Sequence, residues 1–469
     1  MQTVSLRTPV PPAPHGFAEQ SRLLLRLAGP IVLSQLGMVG MNTVDTLMVG
    51  PLGPGALAAV GLASALHMAS IMVSAGVVVG MAPLVSQAFG AGDRALCRSV
   101  LVQGLWLSLL LSLPVIWFNL EGEALSLLLG QSPELSRVAG EYMAALAPGI
   151  PALLAFMALR QFLEGMNRVR PPMVATFLGL GLNALANAAF IYGAGPIPAM
   201  GVVGSGYATS LVRWSMAGGI ALYLTLQPGL HPLRGAGRLP RLDLLRAIVK
   251  VGVPIGGQLG LEVGLFSFAA VMMGWIGPVE LAAHQVTINV AATTFMVALG
   301  VSLAGTIRVG QEIGAGRTHG ARMAAGATYV WATGFMALCA LGFLAAPSLL
   351  ISLYSRDPGV VGLGSSLLLV AAAFQLFDGG QVAGLCVLRG AADTAVPMLI
   401  AALSYWGVGL AVGYWAGFRA GWGPVGVWVG LSAGLAAAAL LLAWRVRAVL
   451  WGKSPPARPA ANLYHPSGV

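Results

Sequence analysis

From residue 24 to residue 446 the chain is a succession of apolar runs, each about the 20 residues needed to cross a bilayer. Hydrocarbon offers no partner to a backbone N–H or C=O, so such runs fold as helices or as a closed barrel. They are continuous rather than short and alternating, which selects helices. Twelve spans are predicted: 24–49, 57–82, 99–119, 137–159, 173–194, 202–226, 247–273, 281–306, 324–350, 361–386, 396–417 and 424–446. With 57% of residues hydrophobic and 9% charged, no polar stretch is long enough for an appended soluble domain. The expected fold is all-α and integral to the membrane.

The chain repeats itself. Pro30 recurs as Pro254, Gly53-Pro54 as Gly277-Pro278, Ala58-Ala59 as Ala282-Ala283, Gln87 as Gln311 and Gly90-Ala91-Gly92 as Gly314-Ala315-Gly316, all at one offset. Gly165 and Pro172-Met173 return as Gly390 and Pro397-Met398, one residue further on. A Gly- and Ala-rich composition inflates chance matches, but it does not hold a Gly-Pro and a Gln-x-x-Gly-Ala-Gly in register. The predicted organisation is therefore a cytoplasmic tail (1–22), a six-helix lobe (23–227), a basic linker (228–246), a second six-helix lobe (247–451) and a second tail (452–469). An even number of spans per half makes the halves parallel repeats.

Alternate loops collect all but four of the 25 Lys and Arg on one side; the exceptions are Arg137, Arg213, Arg356 and Arg419. That side is the cytoplasm, and it holds both termini. The same bias accounts for the net charge of +10 without a nucleic-acid partner. Cys97, Cys339 and Cys386 are scattered, and neither a disulfide framework nor a zinc site is indicated. No HExxH motif or Cys/His cluster marks an enzyme. The Pro-rich start has no apolar core with a cleavage site, so it is not read as a secretory signal. Glycine within spans, as in GVVVG (76–80) and GVGLAVG (407–413), suits close helix packing.

Most of the 15 acids lie in loops or near span ends; Asp45, Glu262 and Asp378 do not. A charge at mid-bilayer costs about 2.5–3.5 kcal/mol on insertion scales, so such residues mark sites that bind something. Asp45 lies nearer a span end, where an interfacial position is the alternative, although an Asp side chain is too short to reach far. In the first half Asn183 and Asn187, four apart on one helical face, and Thr209 supply neutral oxygens to accompany Asp45. One carboxylate with several neutral oxygens suits a hard monovalent cation or a titrating proton. In the second half Gln258, Glu262, Gln285, Asn289, Asp378 and Gln381 form another polar set, in which the amides serve either ligand contact or interhelical hydrogen bonding. Three roles are open to Arg213, pairing with an acid, approach to an interface and contact with substrate, of which structural pairing is the first expectation. His284 is expected to be a hydrogen-bonded structural residue rather than a metal ligand, and Trp275 to be an interfacial anchor. Aromatic stacking on an organic cation is the other use open to Trp275, Phe266, Phe268 and Phe295.

NTVDTLMVG (42–50), VGVPIGGQLGLEVG (251–264), LAAHQVTINV (281–290), IRVGQEIGAG (307–316) and LFDGGQVAGLCVLRGAADT (376–394) together resemble the multidrug and toxic compound extrusion (MATE) family, in its NorM-like branch. The resemblance covers roughly residues 20–450. It implies two six-helix lobes around a central cleft, alternating between inward- and outward-open states. It also implies export of bulky, mostly cationic organic compounds against Na⁺ or H⁺, by a monomer in the bacterial inner membrane. Asp45, with Asn183, Asn187 and Thr209, matches the first-lobe acid, and Glu262 and Asp378 match the second-lobe acids; Na⁺ at any of these carboxylates is the one metal expected, and no cofactor is. Phe374, a turn before Asp378, stands where some sodium-coupled relatives carry tyrosine, which weakens the case for sodium in the second lobe. The rival reading is a lipid-intermediate flippase, which calls for a cationic cavity, whereas the intramembrane charges here are mostly acidic.

Overall fold

The computed structural model describes residues 16–227 and 239–452. Most of both predicted tails and of the linker, with Arg7, Arg234, Arg238, Lys453 and Arg458, lies outside the described residues. Among the described residues twelve long helices carry the fold: α1 (Phe17–Leu52), α2 (Pro54–Gly90), α3 (Arg94–Leu120), α4 (Pro133–Gly165), α5 (Arg170–Tyr192), α6 (Gly201–Leu226), α7 (Leu242–Ile276), α8 (Pro278–Gly314), α9 (Thr318–Ala345), α10 (Pro358–Gly390), α11 (Ala395–Arg419) and α12 (Gly423–Trp451). Eleven are long and apolar enough to cross a membrane. The twelfth, α6, has the length at 26 residues, but Ser205, Thr209, Ser210, Arg213 and Ser215 interrupt its apolar run.

Helix starts follow from local chemistry. Pro54 and Pro278 occupy the first turn of α2 and α8, where a missing N–H costs nothing. Asp93 and Asp357 cap α3 and α10 by accepting from the backbone N–H of Leu96 (2.8 Å) and Val360 (3.0 Å). The helices outrun the predicted spans at several ends. α1 begins at Phe17, inside the stretch expected to be a tail. α2 and α8 continue to Gly90 and Gly314, because Ser86, Gln87, Arg308, Gln311 and Glu312 are buried by protein there. Hydropathy alone reads such residues as the start of a loop.

The repeat is visible in the backbone. A short helix precedes the fourth span of each half, Gly122–Leu128 and Pro347–Ser352. Gly92 and Gly316 end matching helices at φ 76° and 77°, where glycine carries no penalty. Asn167 and Ala392 do the same at φ 63° and 57°, each followed by a residue whose N–H reaches back five positions, Arg168 to Leu163 O and Asp393 to Leu388 O. Alanine is a poor choice for the left-handed region. Ala392→Gly is therefore expected to stabilise the protein by about 1 kcal/mol, seen as a higher melting temperature in detergent; no gain, or a loss, would contradict the strain argument.

The chain divides into two compact units. One comprises Leu33–Gly256, and the other takes in the described chain up to Val32 and from Gly257 onward. The divisions thus fall inside α1 and α7, just after Pro30 and Pro254, and not in the predicted linker. In the first unit the GVVVG run of α2 meets the start of α7 backbone to backbone. A Cβ at Gly76 would lie 2.2 Å from Gly256 Cα, and one at Gly252 would lie 2.4 Å from Val77 Cα. In the second unit, Gly300 of α8 packs on Val32 of α1, and α11 packs on α12 through Gly409 and Gly413 against Gly434 and Gly430. These are the close approaches that the glycine-rich spans predicted. α11 is also π-helical over Leu403–Gly409 and Trp415–Arg419, a departure often found beside functional residues.

Candidate functional site

The first unit gathers its polar residues around Asp45 of α1. Asn183 and Asn187, one turn apart on α5 and both buried, donate from Nδ2 to Asp45 Oδ1 at 2.9 and 2.6 Å. Thr209 of α6 donates to Oδ2 at 3.5 Å. The four residues predicted for this half thus form one cluster. The buried Oδ1 atoms of Asn183 and Asn187 have no hydrogen-bond partner among the described residues. With the carboxylate and the Thr209 hydroxyl they make an oxygen-rich set around one negative charge. Such a set has the chemistry to hold a hard monovalent cation or a proton.

Arg213 of α6 is paired, although not to an acid. Its Nη2 lies 3.2 Å from His67 Nε2 on α2, and His67 Nδ1 lies 2.8 Å from Asn119 Oδ1 on α3. Asn119 donates in turn to Ser70 Oγ at 3.2 Å. The guanidinium is close enough for its field to act on Asp45, and both charges act on Tyr142 of α4. The polar neighbourhood of Asp45 is therefore wider than the sequence indicated. His67, Asn119 and Tyr142 were missed because nothing in their spacing links them to Asp45.

The second unit brings Glu262 of α7 and Asp378 of α10 within electrostatic reach of each other and of Tyr405, with Arg389 in reach of Glu262. Neither carboxylate forms a hydrogen bond or an ion pair with a described residue, and Asp378 is only 5% exposed. Two predicted partners act on neighbours instead. Gln258 accepts from Arg389 Nη2 at 2.8 Å, and Gln381 donates to the Tyr405 hydroxyl. Gln285 and Asn289 sit on an exposed face of α8, where Asn289 Nδ2 donates to the Gln285 carbonyl (2.8 Å). No interaction among the described residues joins them to either acid.

Arg389 and Tyr405 are the residues this half's sequence concealed. Arg389 was counted with the loop arginines, as were Arg160 and Arg308, yet all three lie in helices and are 6–8% exposed. Tyr405 has no exposed surface and sits in the π-helical stretch of α11. Phe374 packs edge-on to Phe266 at 6.2 Å and tilted to Trp428 at 5.6 Å. His284 departs from expectation: its buried Nδ1 lacks a partner, and its ring packs on Trp428 at 5.7 Å. Trp275 is 58% exposed, as an interfacial anchor would be, and meets Phe268 and Phe418 edge-on. Among the described residues no three His, Cys, Asp or Glu side chains gather into a metal site. A cation held here would therefore rest on one or two carboxylates with neutral oxygens.

A family model described as MatE matches residues 30–189 and 254–415, the two halves of the repeat. A protein described as a probable multidrug resistance protein NorM, from Mesorhizobium japonicum, is 38% identical over 439 residues, covering 92% of this chain and 94% of its own length. One of the same description from Pseudomonas putida is 39% identical over 442 residues, covering 92% and 95%. Among solved structures, a eukaryotic MATE transporter superposes with a TM-score of 0.84 at 20% identity, covering 95% of this chain and 98% of that one. An outward-facing multidrug resistance MATE transporter superposes with 0.82 at 24%, covering 96% and 99%.

Proposed function

The chain belongs to the multidrug and toxic compound extrusion family, in its NorM-like branch, and on that footing we propose that it is an antiporter exporting bulky organic cations in exchange for Na⁺ or H⁺. It is a multi-pass membrane transport protein, not an enzyme. The observation that carries the exchange reading is the Asp45 cluster, a carboxylate within the membrane-spanning part of α1, pinned by Asn183, Asn187 and Thr209. Keeping a charge there has a standing cost, which binding a cation offsets.

The proposed cycle is alternating access. Substrate enters from the cytoplasm or inner leaflet of the bacterial inner membrane, with both termini on the cytoplasmic side. An incoming cation at Asp45, or at the Glu262/Asp378 pair, favours the state that releases it. Cation and substrate compete for the same negative charge, so each shifts the conformational equilibrium by its differential affinity, and the coupling is reciprocal. The membrane potential adds about 2.3 kcal/mol per charge per 100 mV to an inward cation. A lipid-flipping reading draws less support, because the unpaired charges at the second-unit cluster are carboxylates rather than a set of cations facing a phosphate.

The test is efflux of a fluorescent organic cation from vesicles holding the purified protein, with Na⁺ and pH gradients imposed separately. Uphill efflux driven by one gradient and abolished by its collapse is the expected result, and it names the coupling ion. Efflux indifferent to both gradients would overturn the antiport reading.

A further inference from the structure

We propose that the groove between α5 and α6 in the first unit is a binding site for an anionic phospholipid, with the phosphate held at Arg168 and Arg170 and one acyl chain laid along the groove. The groove is a cavity of about 560 Å³, within the range of roughly 300–1,000 Å³ usual for ligand sites. Arg170, Val174, Leu178 and Leu182 of α5 form one wall, and Gly219 and Tyr223 belong to the other. From Arg170 to Leu182 the wall is about 18 Å long at a helical rise of about 1.5 Å per residue. Half of a hydrocarbon core of about 30 Å is about 15 Å, the depth one acyl chain occupies. Leu178 in the wall is 70% exposed, and Leu185 (71%) and Leu222 (60%) beside the groove also turn outward, as a surface meeting hydrocarbon does.

The charge lies at one end only. Arg168 Nη1 donates to the Tyr223 hydroxyl at 3.3 Å, which places a second guanidinium beside the mouth that Arg170 lines. Neither α5 nor α6 carries an Asp or Glu. Neither arginine forms an ion pair with a described residue. Two uncompensated guanidiniums and a hydroxyl above an apolar trough match a ligand with an anionic head and a hydrocarbon tail. Gly219 keeps the trough open, since a Cβ there would meet nothing within 4 Å. A lipid seated here would lie against the helix whose Asn183 and Asn187 hold Asp45.

The test is native mass spectrometry of the purified full-length protein, stripped of lipid and titrated with phosphatidylglycerol or with phosphatidylcholine of the same chains. Wild type is expected to retain phosphatidylglycerol in preference. An arginine near the membrane surface contributes about fivefold in affinity, so Arg168→Gln/Arg170→Gln should weaken binding roughly 25-fold. Gly219→Leu should reduce it comparably with both arginines present and with the melting temperature maintained, because leucine fills open space and favours a helix. Should Gly219→Leu melt lower, Val174→Trp obstructs the groove from the other wall at a position already 49% exposed. Equal retention of the two lipids by wild type, or unchanged phosphatidylglycerol binding in either kind of variant, would overturn the proposal. So would displacement of the lipid by inorganic phosphate alone, which would leave the trough without a role. The readout is binding, so the result stands apart from whether the protein proves to be an antiporter.

Discussion

Asp45→Asn is expected to lower gradient-driven efflux by at least about 100-fold, equivalent to about 2.7 kcal/mol of lost stabilisation, while the protein still inserts and folds. The substitution preserves the shape of the side chain and the oxygen to which Asn183 and Asn187 donate, but it turns an NH2 group toward Thr209 and removes the charge those donors support. Without a charge the neutral oxygens have little with which to draw a cation from water. Stability should move the other way, since a neutral amide avoids the roughly 2.5–3.5 kcal/mol that insertion scales assign to a buried Asp. The informative result is therefore lost transport with an equal or higher melting temperature in detergent. Running Glu262→Gln beside it, under separate Na⁺ and pH gradients, assigns the coupling charge to one unit or the other. Wild-type efflux from both variants would remove carboxylates from the mechanism.

Glu312→Ala should produce the largest loss of stability, about 3–5 kcal/mol. Glu312 has no exposed surface and receives Arg308 and Arg317, each at 2.7 Å. Arg308, itself 6% exposed, also donates to Gln311 (2.9 Å) and to Gln20 at the start of α1 (2.8 Å). Removing the carboxylate takes the ion-pair partner from the buried Arg308, leaving its charge to Gln311, Gln20 and the field of Glu19, and the hold on Gln20 weakens with it. The control is Glu141→Ala, which breaks an ion pair to Arg137 of similar length whose partners are 57% and 45% exposed. Solvent already screens that pair, so its loss should cost no more than about 1 kcal/mol. Melting both variants in one detergent separates the cases. A Glu312→Ala protein that melts with the Glu141→Ala protein would show that the buried network is not a stabilising feature.

The same residues show how far the sequence can be read. Hydropathy located the helices but ended α8 too early, because Arg308 and Glu312 look like loop residues until their partners are known. Glu312 is satisfied by Arg317, five residues along, and Arg308 by Gln20, 288 residues away in sequence. The Asp45 cluster was legible because an intramembrane acid stands out, and two amides four apart must share a face. The same spacing was less informative for Gln285 and Asn289, which do share a face of α8, but one exposed and without interaction with Glu262 or Asp378. Arg389 and Tyr405 carried no signal pointing to that acid pair. The duplication is another case. The repeated motifs, and with them the matched φ values at Gly92 and Gly316, follow from the chain itself. The acids do not repeat, however: at the repeat's offset Asp45 corresponds to Ala269, and Glu262 to Met38.

By itself the sequence determined that this protein is a bundle of membrane-spanning helices written twice, with charges kept at a cost inside it. That much is local, since each span must close its own backbone hydrogen bonds and an acid in the middle of an apolar run stands out from its surroundings in the chain. Which residues meet was decided only by tertiary structure. A helix can turn about its axis without changing its hydropathy, so packing alone selected the face of α5 that grips Asp45, the face of α10 that sets Asp378 near Glu262, and the exposure of Gln285.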